Sequence, residues 1–229
     1  MTQLLISVTS VEEAQLALEN GVDIIDLKDP YSGALGALPL SLVKTIVQHI
    51  HASELCKPIS ATIGDIPMQP ELILERINLL ANAKVDFIKI GFFEAEDYQA
   101  CLTRLSLAAT STHLIAVLFA EYLYPPTMIE DIKRAGFKGL MLDTVHKSGQ
   151  TLLYYHARQF YENLANQVIS YGMTFGLAGS LKLQDIEKII QFKPTYIGFR
   201  GGVCMQFSRK KALDIEKIKA IRHVLECLL

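Results

Sequence analysis

The sequence predicts an α/β fold, a single-domain (β/α)8 TIM barrel over residues 1–229. Eight short apolar runs alternate with longer segments of helical periodicity along the chain. The 229 residues leave about 29 for each strand–helix unit, enough for a strand, a helix and two short loops. No linker or low-complexity tract divides the chain. A doubly wound open sheet is the alternative, but such a sheet has no reason to stop at eight strands.

The strand segments are short runs rich in Val, Ile, Leu and Phe, as buried parallel strands require. Amphipathic segments with apolar residues three and four apart lie between them and predict helices. The predicted strands are 4–8, 22–28, 59–63, 85–90, 114–119, 139–143, 174–178 and 196–200. The clearest predicted helices are 11–20, 41–50, 71–83, 127–136, 183–192 and 212–229.

Several residues mark helix ends in this scheme. Ser10 precedes the first helix and Glu13 follows three residues later, which is the pattern of a capping box. Gly21, Gly136 and Gly172 each stand between a predicted helix and the following strand, where a left-handed residue commonly ends a helix.

Composition and charge narrow the classes of partner. Half of the residues are hydrophobic, 20% are charged, and the net charge is −2. These values are typical of a folded globular protein and exclude a disordered, collagen-like or coiled-coil chain. No apolar run reaches the roughly 18–20 residues of a membrane span. Because basic and acidic residues are interspersed, we expect neither a nucleic-acid nor a membrane partner, while homo-oligomer formation stays open.

The N-terminal segment, the cysteines and the histidines indicate the cellular location and whether a metal or cofactor is expected. The N-terminal segment lacks the basic region and apolar core of a secretory signal. The four cysteines form no CxxC pair and no zinc spacing, so we expect a cytoplasmic protein with reduced thiols. The six histidines show no ligand spacing either. We therefore expect no metal site and no cofactor.

Two charged residues fall on the inward face of the second strand. Ile25 and Leu27 share one face, which would pack against the outer helices, so Asp26 and Lys28 point into the barrel. They lie at the carboxyl end of the strand, where barrel enzymes have their active sites. Charges inside a barrel are costly unless they pair or act chemically. The alternative to a catalytic role is a buried structural ion pair.

A second inward lysine is predicted on the fourth strand. Ile88 and Ile90 would cover the helices, which directs Lys89 into the barrel mouth unless it is an ordinary surface lysine. Two ammonium groups that lie close together depress each other's pKa, and burial adds to the effect. A neutral amine near pH 7 is what addition to a carbonyl group requires.

The sixth strand and its loop supply two more candidates. Leu140 and Leu142 would pack outward, which leaves Asp143 inward at the strand end, unless it only caps the next turn. Lys147 follows on the loop, where a solvated lysine is the alternative to a site residue.

The loops after the seventh and eighth strands predict a phosphate site. Gly179 and Ser180 follow the seventh strand. Arg200 is the last residue of the eighth strand, and Gly201 and Gly202 follow it. In barrels these two loops often bind phosphate through backbone N–H groups, and glycine lets the backbone approach closely. The alternative is that these glycines serve only the turns.

Two further features lie beside the predicted site. The loop 29–40, which follows Lys28, is either a lid over the site or a simple mobile connector. Asp23 and Asp86 occupy matching places before two similar strands, at the end of the barrel where stability roles are expected.

Six ordered motifs resemble the family of (5-formylfuran-3-yl)methyl phosphate synthases, also called 4-hydroxymethyl-2-furancarboxaldehyde-phosphate synthases, over nearly the whole chain. That family makes the furan precursor of methanofuran and related C1 carriers. The motifs are DLKDP with GALGA (26–30 and 33–37), SATIGD (60–65), FIKIG (87–91), MLDT (141–144), LAGS (177–180) and RGGVC (200–204).

The resemblance implies a lyase that condenses two molecules of glyceraldehyde 3-phosphate with loss of phosphate and water. It implies that Lys28 forms the Schiff base, that Lys89 accepts a proton, and that Asp26, Asp143 and Lys147 complete the charged site. The chain departs from the family pattern at Glu121, which follows Ala120 where an aspartate is usual. A class I aldolase or isomerase for another sugar phosphate, and a barrel that only binds a phosphorylated metabolite, remain the alternatives.

Overall fold

Eight parallel strands close into a barrel in the computed structural model, which describes residues 2–146 and 149–228. Neighbours along the chain are neighbours in the sheet, and the first strand also pairs with the eighth. The predicted single (β/α)8 TIM barrel is therefore confirmed, and the open sheet is excluded. The strands are β1 Gln3–Val8, β2 Ile24–Leu27, β3 Ile59–Thr62, β4 Phe87–Gly91, β5 Leu114–Phe119, β6 Gly139–Asp143, β7 Thr174–Leu177 and β8 Tyr196–Phe199.

Helices follow the strands in the expected alternation. Those predicted from amphipathic patterns are found within a few residues of their expected bounds, except the seventh, where short 3₁₀ turns flank a four-residue helix. Helices α4 and α6, which the patterns did not delimit, complete the ring. The helices are α1 Val11–Glu19, α2 Leu40–Ala52, α3 Pro70–Asn82, α4 Gln99–Ala108, α5 Met128–Arg134, α6 Arg158–Ser170, α7 Ile186–Ile189 and α8 Ile215–Cys227.

The first helix is capped by one half of the predicted capping box. The Ser10 hydroxyl accepts a hydrogen bond from the Glu13 N–H at 3.2 Å. The Glu13 carboxylate does not return to Ser10; it accepts from the N–H of Thr9 at 2.8 Å and is held by Arg200 at 2.6 Å. The ion pair with a distant arginine thus redirects the side chain that would have closed the box.

Buried apolar side chains form two separate clusters. The larger one fills the space between the barrel wall and the helices and contains Ile25, Leu27, Ile88 and Ile90. The smaller one fills the barrel and contains Ile24, Ile115, Met141 and Tyr196 among others. Because side chains alternate along a strand, the members of the outer cluster fix which neighbours point inward.

Tyr196 and Met141 lie in the barrel interior, and glycines make room for them. A Cβ atom at Gly176 would lie 2.3 Å from the Tyr196 ring. One at Gly198 would lie 2.9 Å from the Met141 methyl group. Larger residues at these strand positions would displace the two side chains.

The loop after β2 is a packed cover over part of the barrel mouth. The Asp65 carboxylate accepts hydrogen bonds from the N–H groups of Ala34 and Leu35 at 2.7 and 2.6 Å. The Leu35 side chain is buried in the inner cluster, and the Thr62 hydroxyl donates to the carbonyl of Gly36 at 2.9 Å. Of the two interpretations of this loop, a free connector does not fit these contacts.

Within residues 2–146 and 149–228, no helix is both long and apolar enough to cross a membrane.

Candidate active site

A cavity of about 180 Å³ opens at the carboxyl ends of the strands. Its floor is made by inward residues of β1, β2, β4, β6 and β8, and its walls by the loops after β2, β7 and β8. Every predicted site residue that the structure describes lines it. These are Asp26, Lys28, Lys89, Asp143, Gly179, Ser180, Arg200, Gly201 and Gly202.

The deepest charged pair joins β4 to β2. The Lys89 Nζ lies 2.5 Å from Asp26 Oδ1, and the two side chains are only 3% and 1% exposed. Their strands do not pair directly, since β3 lies between them. The pair therefore crosses the barrel interior, where little water competes with it.

Two serine hydroxyls complete the surroundings of Asp26. Ser7 donates to Oδ2 at 2.8 Å and Ser60 donates to Oδ1 at 2.6 Å. Both serines stand in register with Asp26 on the adjoining strands. Burial raises the pKa of Asp26, but the ammonium groups of Lys89 and Lys28 and the donated hydrogen bonds outweigh it. The pKa consequently lies below the usual 3.8, and Asp26 is an anion at neutral pH.

At Lys89, in contrast, the effect of burial on the pKa prevails. It lowers the pKa of this lysine below the ordinary 10.5, and the positive charge of Lys28 lowers it further. The negative charges of Asp26 and Asp143 act in the opposite direction without cancelling the effect. Lys89 thus gives up its proton more readily than a surface lysine does.

Lys28 sits higher in the cavity, beside Asp143. Its Nζ lies 3.2 Å from Asp143 Oδ2, and the lysine side chain is 12% exposed. The other carboxylate oxygen of Asp143 accepts a hydrogen bond from the Thr144 N–H at 2.7 Å. Lys28 and Lys89 thus reach one cavity from β2 and β4, as the alternation of side chains predicts, and Lys28 is the more accessible of the two.

The loops after β7 and β8 form one wall through close backbone contact. A Cβ atom at Gly202 would lie 2.2 Å from the carbonyl oxygen of Leu181, so only glycine fits there. Gly179 has φ +108°, and Ser180 has φ +52°, so both adopt left-handed conformations. This geometry leaves the backbone of the wall open to close approach, while phosphate binding by it stays a prediction.

Arg200 lines the cavity, but its guanidinium group is held within the protein. It forms a two-point ion pair with Glu13, at 2.6 and 3.1 Å. It also donates to the carbonyl oxygens of Ser7 at 3.0 Å, Arg209 at 2.9 Å and Lys211 at 3.2 Å. These contacts use all three of its nitrogen atoms to brace β1, α1 and the β8 loop. Direct binding of phosphate by Arg200 stays a prediction.

Lys147 lies outside the described residues. Gly149, just beyond it, lines the cavity. Glu121, the departure from the family pattern, accepts a hydrogen bond from the His146 N–H at 2.9 Å and so ties the β5 loop to the β6 loop.

The sequence patterns did not identify Ser7, Ser60, Lys182 and Arg209 as site residues. Applying strand alternation to β1 and β3 would have placed both serines beside Asp26, because they occupy the same inward level. Lys182 and Arg209 lie on loops, where no periodicity fixes the direction of a side chain. Both line the cavity.

The arrangement suits chemistry on a carbonyl compound that carries a phosphate. An amine open to the cavity can add to the carbonyl, and a second, buried amine with a lowered pKa can move a proton beside it. The glycine-rich wall lies within the same space and can receive an anion.

Comparison with known proteins shows the family to which the chain is similar. Residues 4–222 match the model of the family described as 4-HFC-P synthase. A provisionally named (5-formylfuran-3-yl)methyl phosphate synthase of Methylorubrum extorquens is 40% identical over 212 residues, covering 93% of this chain and 86% of that protein. The (5-formylfuran-3-yl)methyl phosphate synthase of Methanocaldococcus jannaschii is 30% identical over 237 residues, covering 96% and 98%.

Solved structures share the fold at low sequence identity. Phosphoribosyl anthranilate isomerase from Thermus thermophilus superposes with a TM-score of 0.70 at 18% identity, covering 100% of both chains. KGPDC from Streptococcus mutans gives a TM-score of 0.68 at 11% identity, covering 99% of this chain and 98% of that one. These likenesses support the barrel fold alone.

Proposed function

The chain belongs to the family of 4-HFC-P synthases, and from this premise we propose that it condenses two molecules of glyceraldehyde 3-phosphate to (5-formylfuran-3-yl)methyl phosphate. The reaction is that of a carbon–oxygen lyase and releases one inorganic phosphate and two molecules of water. The product would be the furan precursor of a methanofuran-type C1 carrier, made in the cytoplasm by one catalytic domain without a cofactor.

The observation that carries the proposal is the pair of lysines in one cavity. Lys28 is open to the cavity beside Asp143, and Lys89 lies deeper beside Asp26. An open amine can capture a substrate, whereas a buried amine is protected from solvent and keeps a lowered pKa. Together they divide covalent capture and proton transfer between two groups.

In the proposed reaction the neutral Lys28 amine adds to the triose aldehyde, and loss of water leaves an iminium ion. The iminium draws electrons from the neighbouring carbon, so a base can remove its proton, and the resulting enamine expels the phosphate group from the third carbon. That third carbon is now the end of an enol and attacks the ketone carbon of the second triose, which has isomerised to its ketone form by proton transfer. The terminal hydroxyl of the second triose closes the ring, loss of two molecules of water makes it aromatic, and hydrolysis of the imine releases the formyl group and returns Lys28.

Lys89 is the proposed base because its pKa is lowered and it faces the same space as Lys28. The fixed Asp26 anion would hold Lys89 in place and take part in returning its proton. Asp143 would keep the Lys28 amine oriented toward the substrate, and Lys147 would assist from its loop. Ser180, Gly201 and Gly202 would receive a substrate phosphate through their backbone N–H groups.

Incubation of the purified protein with glyceraldehyde 3-phosphate tests the proposal. We expect release of inorganic phosphate together with a new product that has furan absorbance and the mass of the phosphorylated aldehyde. A retro-aldol or isomerised product without furan would replace the synthase by a class I aldolase or isomerase. Binding of the triose phosphate without turnover would indicate a barrel that serves only as a binding protein.

A further inference from the structure

The loop after β8 carries a second arginine over the cavity. Arg209 lines the cavity together with Ser180, Gly201 and Gly202. Its Nη2 donates a hydrogen bond to the carbonyl oxygen of Gly33, in the loop after β2, at 2.6 Å. The guanidinium group therefore spans the mouth between two loops, on the side of the glycine-rich wall.

Most of the donors of Arg209 remain available. A guanidinium group has five N–H donors in a planar fork. In the described portion of the chain, the contact with Gly33 is the single hydrogen bond that this side chain makes, and no carboxylate lies within ion-pair distance of it. The cation is only partly exposed, and burial lowers its pKa while Asp143 and Asp65 oppose the effect.

The guanidinium group of Arg200, unlike that of Arg209, is fully engaged by protein groups. Glu13 neutralises it, and protein oxygens occupy all three of its nitrogen atoms. Two of those oxygens are the carbonyls of Arg209 and Lys211. Arg200 thus fixes the backbone that carries Arg209. The Tyr31 hydroxyl adds a third restraint by donating to the carbonyl of Lys210 at 2.9 Å.

We propose that Arg209 binds the phosphate group of a triose phosphate, with Arg200 acting as the positioning residue that holds it over the glycine-rich wall. A phosphate monoester is the anion whose geometry suits two parallel donors of a guanidinium fork. A partly buried cation without a carboxylate partner is costly unless a ligand neutralises it. The inference rests on the proposed function for the identity of the substrate, and on the cavity for the position of the anion.

Binding of sn-glycerol 3-phosphate tests the inference, because this probe has the phosphate and carbon chain of a triose but no carbonyl to react. Calorimetric titration should show that Arg209→Met weakens binding of the probe at least tenfold. A loss of this size is expected because the substitution removes a hydrogen bond from a charged donor to the phosphate. Arg209→Lys should lie between Arg209→Met and the wild type, because it keeps the charge and loses the fork.

Lys210→Met is the matched control. It removes the same charge one position away, and its ammonium group lies over the Tyr31 ring, 5.2 Å from the centroid. We expect it to bind the probe like the wild type. Equal affinity of Arg209→Met and Lys210→Met would overturn the inference.

A second readout separates phosphate binding from damage to the site. Borohydride trapping of unphosphorylated glyceraldehyde on Lys28 should be the same in Arg209→Met and the wild type, because this substrate needs no anion site. Loss of trapping in Arg209→Met alone would show that Arg209 maintains the site and would overturn the inference. Should the wild type form no adduct and no furan, the proposed function fails, whereas the glycerol 3-phosphate result still decides the role of Arg209.

Discussion

Lys28 and Lys89 differ in how far a substrate can reach them. The Lys28 side chain is 12% exposed beside Asp143, while that of Lys89 is 3% exposed and paired with Asp26. A substrate carbonyl approaching from the mouth meets Lys28 first. The order of burial thus matches the proposed division between covalent capture and proton transfer.

Replacing Lys89 by arginine tests that division at the residue scale. Arginine keeps a positive partner for Asp26 but stays protonated, so it cannot accept a proton. We expect imine formation on Lys28 to persist and turnover to fall roughly 10²-fold or more. Stopped-flow product formation and intact-mass analysis after borohydride reduction measure the two effects separately. Wild-type turnover in Lys89→Arg would remove Lys89 from the mechanism.

The pH dependence of kcat tests the pairing of Lys89 with Asp26. The Asp26 charge raises the pKa of Lys89, against the larger effect of burial. If Lys89 acts as a base, the acidic limb of kcat follows its deprotonation. Asp26→Asn removes the charge, so the limb should move to lower pH even though the rate falls. Asp23→Asn, at the other end of the barrel, should leave the limb in place.

At this scale, strand alternation predicts which charges point inward, because apolar neighbours must face the helices. It locates Asp26, Lys89 and Asp143 from their flanking Ile and Leu residues. It does not tell what each polar group binds. Arg200 looks like an anion-binding residue in the sequence, yet its partner Glu13 lies 187 positions away in the chain, and no local pattern reports such a contact.

Asp23 and Asp86 play the same part before β2 and β4. The Asp23 carboxylate accepts a hydrogen bond from the N–H of Leu4 at 2.8 Å, and that of Asp86 accepts one from the N–H of Ile59 at 2.7 Å. Each ties the start of its strand to the strand immediately before it in the chain, at the end opposite the cavity. The two aspartates of these similar segments thus make matching contacts.

These contacts predict a stability effect without a catalytic one. Asp23 also pairs with Arg222 at 2.7 Å, so Asp23→Ala should destabilise the protein by about 1–3 kcal/mol. Asp86→Ala should cost about 1 kcal/mol, because that carboxylate is exposed and no ion pair joins it to another of the described residues. Urea unfolding measures both, and kcat should stay at the wild-type value. A large loss of kcat with unchanged stability would contradict this interpretation.

The ends of several strands and helices differ from those that hydrophobic periodicity predicts. The strands predicted from 22 and 85 begin at Ile24 and Phe87. Val22 still completes the end of α1 by donating to the carbonyl of Ala17 at 3.3 Å, and the aspartates cap the strand start. The predicted helix 183–192 divides into a 3₁₀ turn, the four-residue helix α7 and a second 3₁₀ turn, a division that its apolar spacing does not reveal.

Over the whole molecule, the count of alternating elements was enough to predict a closed barrel. The position of the site could also be predicted, because closing the barrel brings the carboxyl ends of strands that are far apart in sequence together on one rim. Loop conformation could not be predicted in this way. The packing of Leu35 into the barrel depends on Asp65, which lies in the next loop and has no periodic signal.

Acid should destabilise the folded protein through Asp26. Its folded pKa lies below the unfolded value near 3.8, so the unfolded chain binds a proton first. The stabilisation from Asp26 is therefore present above pH 3.8 and is lost as the pH falls through the folded pKa. Urea unfolding between pH 6 and the acid limit should show a steeper decline for the wild type than for Asp26→Asn. Parallel declines would contradict a charged Asp26 in the folded state.

Trapping of the covalent adduct shows whether one accessible amine captures the triose. The protein is reduced with borohydride in the presence of glyceraldehyde 3-phosphate, and the modified peptide is located by mass spectrometry. We expect a mass increase of one reduced triose phosphate on Lys28, and none in Lys28→Arg, whose guanidinium cannot add to a carbonyl. An unmodified wild-type protein that still makes furan, or an adduct on another lysine, would contradict this expectation.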